Sequence, residues 1–169
     1  MSKSIFKYCP SCGYRLITGK DVRLISCNKC AFHFYLSPAP TVAILLKNIN
    51  NEYLFVKRKF QPKKGYWDLP GGFLDYRETY EKALKREVRE ELGITISVFN
   101  YIGSATDVYD YKGISYYTIV AVYGGFIEQK IIPADDVETF LFFTEKNIPE
   151  NKFAFPGLLS LVKKYILTT

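Results

Sequence analysis

Residues 72 to 94 read GFLDYRETYEKALKREVREELGI, and this stretch sets the interpretation of the whole chain. Glu87, Glu90 and Glu91 stand at i, i+3 and i+4, which on a helix are neighbouring positions on one face. Three carboxylates at such spacing repel each other, so a helix selected for stability alone would avoid them. A bound divalent cation removes the repulsion, and carboxylate oxygens suit hard ions that also bind phosphate oxygens. The stretch therefore predicts a helical metal site that acts on a phosphate compound.

The residues around the three glutamates follow a longer pattern. Charge runs on helices are usually solvated faces, but a solvated face explains neither the flanking glycines nor the carboxylate cluster. All nine constrained positions stand at the spacing of the Nudix box, so the chain resembles a Nudix hydrolase. The resemblance implies metal-dependent hydrolysis of the diphosphate bond in a nucleoside diphosphate joined to another group. It also implies an α/β fold, a Nudix-type α/β/α sandwich with a mixed sheet. The nine positions are Gly72, Glu78, Arg86, Glu87, Val88, Glu90, Glu91, Gly93 and Ile94.

The resemblance assigns chemical roles inside the box. Glu87, Glu90 and Glu91 would hold magnesium or manganese, joined by the carbonyl oxygen of Gly71. Glu90 is a candidate general base, although some Nudix families take the base from a later loop. The sequence does not choose among the candidates of that loop, which are Asp135, Asp136 and Glu138.

The other box residues are expected to hold the loop and the helix together. Glu78 and Arg86 lie about two helical turns apart and should pair. Gly72 permits a close backbone approach, and Gly93 ends the helix in a left-handed conformation. Arg58 matches a position where the family often carries a basic residue near the phosphates. The alternative for Arg58 is a solvated basic edge strand, which is also how the neighbouring lysines are interpreted.

All four cysteines lie in the first 30 residues, as Cys9 and Cys12, fourteen residues, then Cys27 and Cys30. Two such pairs can close a tetrahedral zinc site, and four thiolates leave no open position, so the predicted zinc is structural. Two disulfides or four free thiols are the alternatives, and disulfides are disfavoured without a visible export signal. A short hairpin is predicted over residues 14 to 26, with its tip near 19 to 21. The one histidine, His33, is expected to be a packed strand residue rather than a ligand.

Pro38 and Pro40 separate the cysteine-rich segment from the rest of the chain. We predict a zinc ribbon over residues 1–36 and a Nudix hydrolase domain over residues 37–169. A ribbon placed directly before a Nudix domain resembles the NADH pyrophosphatase branch and its ADP-ribose pyrophosphatase-like relatives. Strands are predicted over 41–47 and 52–59, as a hairpin, and over 94–104, 114–126 and 138–143, with helices over 79–92 and 156–167.

The composition bounds location and partners. The 169 residues carry a net charge of +6, which suits an anionic substrate and equally nucleic acid. The ribbon lacks a dense Lys and Arg run, so a nucleic-acid partner is not expected. No apolar run approaches the ~20 residues of a membrane span, and no secretory signal is visible, so a cytoplasmic location is expected. A homodimer is an expectation by analogy at fold level only.

The substrate is less well determined than the reaction. NADH pyrophosphatases carry Ser-Gln-Pro-Trp-Pro-Phe-Pro after the box, whereas this chain has SATDVY at 104–109, where only Ser104 matches. ADP-ribose or a similar derivative therefore ranks first, and NADH or related dinucleotides rank second. A non-catalytic binder, either a Nudix nucleotide sensor or a zinc-ribbon nucleic-acid module, is the third alternative. Tyrosines that could stack on a base are Tyr109, Tyr111, Tyr116 and Tyr117.

Overall fold

The computed structural model describes residues 6–17 and 23–168, and the chain divides into two compact units, Met1–Pro38 and Ala39–Thr169. In the first unit, strand β1 (Leu24–Ser26) pairs antiparallel with β2 (His33–Tyr35), and Tyr8 bridges to Arg15. The predicted hairpin over 14–26 has its tip outside the described residues. Its two described parts do not pair with each other. Arg15 bridges to Tyr8 across the first cysteine pair, and β1 pairs with β2 across the second.

The second unit is built on one mixed sheet. Its strands run in the order β5-β4-β3-β8-β7, with β6 also pairing with β3 and β9 with β4. Strands β3 and β8 are parallel, and the other pairs are antiparallel. Within the described residues, neither helix is both long and apolar enough to cross a membrane. The elements are β3 Ala39–Lys47, β4 Tyr53–Arg58, β5 Trp67–Asp68, β6 Gly71–Phe73, α1 Tyr80–Leu92, β7 Phe99–Tyr111, β8 Ile114–Phe126, β9 Val137–Phe143 and α2 Pro156–Ile166.

The two helices cover opposite faces of this sheet. Along β3, Val42, Ile44 and Leu46 belong to the core that contains α1, whereas Ala43 and Leu45 belong to the core that contains α2. Successive side chains of a strand point to opposite faces, so this alternation places one helix on each side. The predicted α/β/α sandwich with a mixed sheet is confirmed. The buried helix residues of the two cores are Ala83, Leu84, Val88 and Leu92, and Leu158, Val162 and Ile166.

Helix α1 ends at Leu92 as predicted and begins at Tyr80, one residue later than predicted, because Thr79 is its N-cap. The side chain of Thr79 accepts a hydrogen bond from the Lys82 amide at 3.4 Å, which caps the N-terminus. Gly93 ends the helix at φ 68°, in the left-handed region, and donates its N–H to the Arg89 carbonyl.

The strand predicted over 94–104 is wrong at both ends, because β7 begins at Phe99 and continues to Tyr111. The long β8 offers antiparallel partners along all of β7, which a local pattern does not reveal. Residues 94–97 alternate between buried and exposed, as in a strand, but residues 94–98 do not form one. The Gln129 side chain satisfies their backbone, since its amide donates to the Thr95 carbonyl at 2.8 Å and accepts from the Thr95 N–H at 3.3 Å.

The predicted hairpin of β3 and β4 is reduced to a single pair, Lys47 opposite Tyr53. Beyond that pair the two strands take other partners. Strand β6 pairs with β3, placing Gly72 opposite Val42, while β5 and β9 pair with β4. The divergence of β3 from β4 leaves room for a cavity beside the Nudix box.

Helix α2 is capped from a distant strand. Its N-cap residue, Phe155, makes no side-chain cap, and Asp107 of β7 accepts the N–H groups of Gly157 and Leu158, both at 2.8 Å. We expect Asp107→Ala to lower the free energy of unfolding by about 1–2 kcal/mol, measured by urea denaturation, because two helix donors lose their acceptor. The matched control is the exposed Asp110 on the same strand.

Asp110→Ala should change the free energy of unfolding by less than about 0.5 kcal/mol, as is usual for exposed sites. Equal losses in the two variants would show that α2 does not depend on the carboxylate of Asp107.

Candidate active site

Helix α1 brings the box glutamates against the glycines of β6. Glu91 is 6% exposed, and its Oε2 accepts the N–H of Gly71 at 2.9 Å. Glu87 packs directly on Gly72, where a Cβ atom would lie 2.5 Å from the Glu87 Oε1. Gly71 has a φ of 144°, and a Cβ there would lie 2.1 Å from a carbonyl oxygen of β3. Gly72 is therefore needed for Glu87 to approach β6, and Gly71 for β6 to approach β3, while Glu90 stays exposed.

Arg86 links the loop before α1 to two of the three glutamates. Its Nε and Nη2 donate to Glu78 at 3.0 and 2.9 Å, which is the predicted pair, and Nη2 also donates to the Phe73 carbonyl at 3.0 Å. Its Nη1 donates to Glu87 at 2.8 Å and to Glu90 at 3.1 Å. The guanidinium thereby offsets the repulsion between these two carboxylates and fixes their positions. Among the described residues, the three box glutamates do not form a convergent group of ligand atoms.

Burial dominates the electrostatics of the box. It raises the pKa of Glu91 well above its ordinary value, against the N–H of Gly71, and the charges of Glu87, Asp68 and Asp136 raise it further. Burial also raises the pKa of Glu87, although the neighbouring guanidinium opposes the shift. Ionised carboxylates are costly in such a place unless a cation accompanies them. A donor set of carboxylate oxygens fits a hard divalent ion.

A cavity lies beside the box, where β3 and β4 diverge. Glu91 and Asp136 line it, whereas Asp135 and Glu138 do not. Glu138 pairs instead with Lys57, with Nζ and Oε1 3.2 Å apart. Of the three late-loop candidates, Asp136 alone lines the cavity with Glu91, and its charge raises the pKa of Glu91. The charge of Asp135 instead raises the pKa of Glu87.

Aromatic side chains form much of the cavity wall. Tyr109 stacks on Phe155 with ring centroids 6.1 Å apart, and meets Phe73 edge to face at 5.4 Å. Phe60, which is 52% exposed, also lines the cavity. Of the four tyrosines considered for base stacking, Tyr109 alone lines it.

Arg58 also lines the cavity, in a setting that the sequence did not indicate. Its Nη1 donates to Asp68 at 2.9 Å, and its Nε donates to the Pro62 carbonyl at 2.9 Å. The guanidinium lies over the rings of Phe155 and Tyr109, at 5.3 and 5.9 Å from their centroids. The sequence analysis did not single out Asp68. The signal that could have found it is a carboxylate that stands shortly before the glycines of the box.

Burial raises the pKa of Asp68 from 3.8 to about 6, although the charge of Arg58 opposes the shift. Because the pKa of Asp68 is higher in the folded state than in the unfolded state, its protonated form stabilises the folded protein at low pH. This stabilisation is lost as the pH rises from the unfolded-state pKa through the folded-state pKa. We expect the wild type to lose up to about 3 kcal/mol relative to Asp68→Asn between about pH 4 and pH 7. Urea denaturation of both proteins across this range measures it, and a constant difference would contradict the prediction.

The four cysteines of the first unit converge on one point. Sγ atoms lie 3.6 Å apart for Cys9 and Cys30 and 3.7 Å apart for Cys12 and Cys27, and all four lie within 4.8 Å of one another. A tetrahedron with arms of about 2.3 Å, the usual zinc–sulfur distance, has edges of about 3.8 Å. The cysteines are free thiols rather than disulfides, and their arrangement fits a metal ion.

The two cysteine pairs lie in matching turns. The N–H of Gly13 donates to the Cys9 carbonyl at 2.9 Å, and that of Ala31 donates to the Cys27 carbonyl at 3.0 Å. Both donors have positive φ, 70° and 56°. His33 lies in β2 as predicted, but it is exposed, so the expectation of a packed residue is wrong. Its Nδ1 lies 2.6 Å from the Ala31 carbonyl oxygen.

Comparison with known proteins agrees with this geometry. The model of the NUDIX domain matches residues 37–156. An ADP-ribose pyrophosphatase from Methanocaldococcus jannaschii is 36% identical over 126 residues, which cover 72% of this chain and 71% of that protein. The NAD-capped RNA hydrolase NudC from Haemophilus influenzae is 32% identical over 100 residues, which cover 58% of this chain and only 38% of NudC.

The fold is matched over nearly the whole chain as well. The crystal structure of a NUDIX hydrolase from Nitrosomonas europaea superposes with a TM-score of 0.67, over 96% of this chain and 91% of that one, at 26% identity. Since the domain match covers most of the chain and includes the complete box, the protein belongs to the NUDIX domain family.

Proposed function

We propose that the protein is a metal-dependent hydrolase that cleaves the diphosphate bond of a nucleoside diphosphate linked to another group. ADP-ribose or a close analogue is the proposed substrate. The observation that carries the proposal is the position of the box, because Glu91 lines a cavity that aromatic rings, one arginine and three further carboxylates also line. The aromatic rings suit the flat ring of a nucleotide, and a divalent ion held by the carboxylates would suit its diphosphate. Similarity to the ADP-ribose pyrophosphatase over 72% of the chain supports this choice of substrate.

Hydrolysis of a phosphoanhydride needs neutralised charge on the phosphate oxygens and a water aligned with phosphorus. Glu87, Glu90 and Glu91, with the Gly71 carbonyl, would hold magnesium or manganese, which supplies that neutralisation when bound. Arg86 holds Glu87 and Glu90 in place through its Nη1. Glu90 is exposed and therefore placed to accept a proton from water.

Asp136 is the alternative general base, since it lines the same cavity as Glu91. We also propose that zinc occupies the site formed by Cys9, Cys12, Cys27 and Cys30 in a structural role. The remaining parts of the proposal are a small-molecule nucleotide substrate, no nucleic-acid partner, and a homodimer as the assembly.

Hydrolysis of NADH or a related dinucleotide is the second candidate function. Similarity to NudC favours it, although the match covers only 38% of NudC. The segment 104–109, where the NADH pyrophosphatases carry their own motif, forms the middle of β7 here. It contributes Asp107 and Tyr109 to the cavity.

A substrate screen with magnesium and with manganese tests the proposal. We expect release of AMP from ADP-ribose by the wild type, and much slower release from NADH. The screen also contains NAD, diadenosine polyphosphates and nucleoside triphosphates. Faster cleavage of NADH would favour the second candidate. Folded, zinc-loaded protein that cleaves none of these compounds would overturn the proposal and favour a nucleotide sensor.

A further inference from the structure

The inference concerns Arg58, whose contacts within the protein are extensive. Two of its three guanidinium nitrogens donate to protein oxygens, and two aromatic rings lie against its plane. Its backbone closes the following loop, because its N–H donates to the Tyr66 carbonyl and its carbonyl accepts from the Gly65 N–H. The side chain is only 20% exposed. A guanidinium with this many contacts inside the protein fits a structural role better than a direct contact with a phosphate group.

The partner of Arg58 leads directly to the box. One oxygen of Asp68 binds Arg58, and the other accepts the N–H of Leu69 at 2.9 Å. The next carbonyl, that of Pro70, accepts from the β3 backbone at 2.9 Å, and the following N–H, that of Gly71, donates to Glu91 at 2.9 Å. Every residue from Asp68 to Gly71 therefore has a backbone or side-chain bond, and Leu69 and Pro70 are buried. A shift of Asp68 would be transmitted along this short segment to Glu91.

We infer that Arg58 and Asp68 form a positioning pair that sets the backbone of residues 69–71, and through it the carboxylate of Glu91. The inference rests on the proposed function for the role of Glu91. In this role, loss of Arg58 lowers kcat and weakens binding of the divalent ion. Loss of a direct phosphate contact would instead weaken substrate binding and raise KM.

The test is a double-mutant cycle of Arg58→Ala and Asp68→Asn, with the nucleotide substrate found in the screen. Leu69 and Arg58 donate to different oxygens of Asp68, and asparagine replaces one of these oxygens by an NH2 group, which cannot accept. We expect each single variant to lower kcat about tenfold or more, because small displacements of reacting groups are costly. The double variant should be no slower than the slower single variant, because both changes break one unit. KM should change less than about threefold, and the manganese concentration for half activity should rise.

Lys57→Ala is the matched control. Lys57 is the adjacent basic residue on β4, and it also pairs with a carboxylate, that of Glu138, but at the surface. Its loss should leave kcat, KM and the manganese dependence unchanged. Arg58→Lys separates charge from geometry, because it keeps the cation but loses the Nε bond to Pro62. It should lower kcat like Arg58→Ala, and thermal unfolding verifies that each variant is folded.

A different set of results would overturn the inference. A KM raised tenfold or more in Arg58→Ala, with normal kinetics in Asp68→Asn and in Arg58→Lys, would identify Arg58 as a phosphate contact. Additive effects of the two changes would also contradict a single unit. If the wild type cleaves no nucleotide, the proposed function fails on its own. The pair is then judged by manganese binding to the zinc-loaded proteins, followed by electron paramagnetic resonance. Weaker binding in both single variants supports the pair, and unchanged binding overturns it.

Discussion

Replacing Glu91 by glutamine is expected to abolish most turnover while making the metal-free protein more stable. A bound divalent ion contributes several kcal/mol to transition-state stabilisation, and each 1.36 kcal/mol is a factor of ten in rate. Loss of one carboxylate ligand should therefore lower kcat by about 10²- to 10⁴-fold. The amide of glutamine keeps an acceptor for the Gly71 N–H, so the local structure should persist.

The gain in stability follows from the raised pKa of Glu91. Burial raises this pKa, so the ionised carboxylate destabilises the folded state once the pH is above the unfolded value, about 4.3. Glutamine carries no such charge, and each unit of pKa shift corresponds to about 1.4 kcal/mol. We expect the variant to unfold at a higher urea concentration than the wild type at neutral pH without divalent ions.

Added manganese should stabilise the wild type more than the variant, because it binds the folded wild type more tightly. Glu81→Gln is the matched control, since Glu81 is an exposed residue on the same helix. It should change neither turnover nor the response to manganese. Normal turnover of Glu91→Gln would show that Glu91 is not a metal ligand. A lower free energy of unfolding in the variant than in the wild type would show that burying the Glu91 charge is not costly.

Replacing Cys27 by serine is expected to unfold the first unit and to release its zinc. Among the described residues of this unit, the buried apolar side chains are Cys9, Ile25 and Cys27. This described core is too small to offset the conformational entropy of folding, so we expect the proposed zinc to supply the stability. Structural zinc supplies about 10–16 kcal/mol in comparable small domains. We expect one zinc per wild-type chain by atomic absorption, and less than a tenth of that in the variant.

Limited proteolysis should then cleave the first unit of Cys27→Ser and leave a fragment that begins near Ala39. The second unit has its own two cores, so its thermal transition should remain. His33→Ala is the control, because His33 is exposed and is not one of the four clustered residues. It should keep one zinc and its resistance to protease. A Cys27→Ser protein that retains zinc and resists cleavage would disprove a structural metal site.

The parts that could be predicted from the sequence are those with a fixed local spacing. Glu87 and Glu91 face β6 together because positions i and i+4 share a helix face. Thr79 and Gly93 bound α1 because capping depends on a few adjacent residues. The two cysteines of each pair lie close together because each pair forms a short turn of its own. The catalytic and ligand roles of these residues stay predictions.

Other features depend on which strands become neighbours. Strand β7 begins later than predicted, because its length is set by its pairing with β8 rather than by its own pattern. The hairpin of β3 and β4 gives way to pairing with β6, which creates the space for the cavity. The choice of Asp136 over Asp135 and Glu138 is likewise a matter of which carboxylate faces that space.

By itself, the sequence determined the family pattern, the candidate metal ligands and the two helices, because these follow from residue type and short-range spacing. Only the tertiary structure decided that Asp107 caps a helix 50 residues away and that Arg58 is held by Asp68. Both contacts depend on the positions of β7, β5 and β4 in the folded sheet. The residues around a carboxylate do not reveal its partner when only long-range strand pairing brings that partner within hydrogen-bond distance.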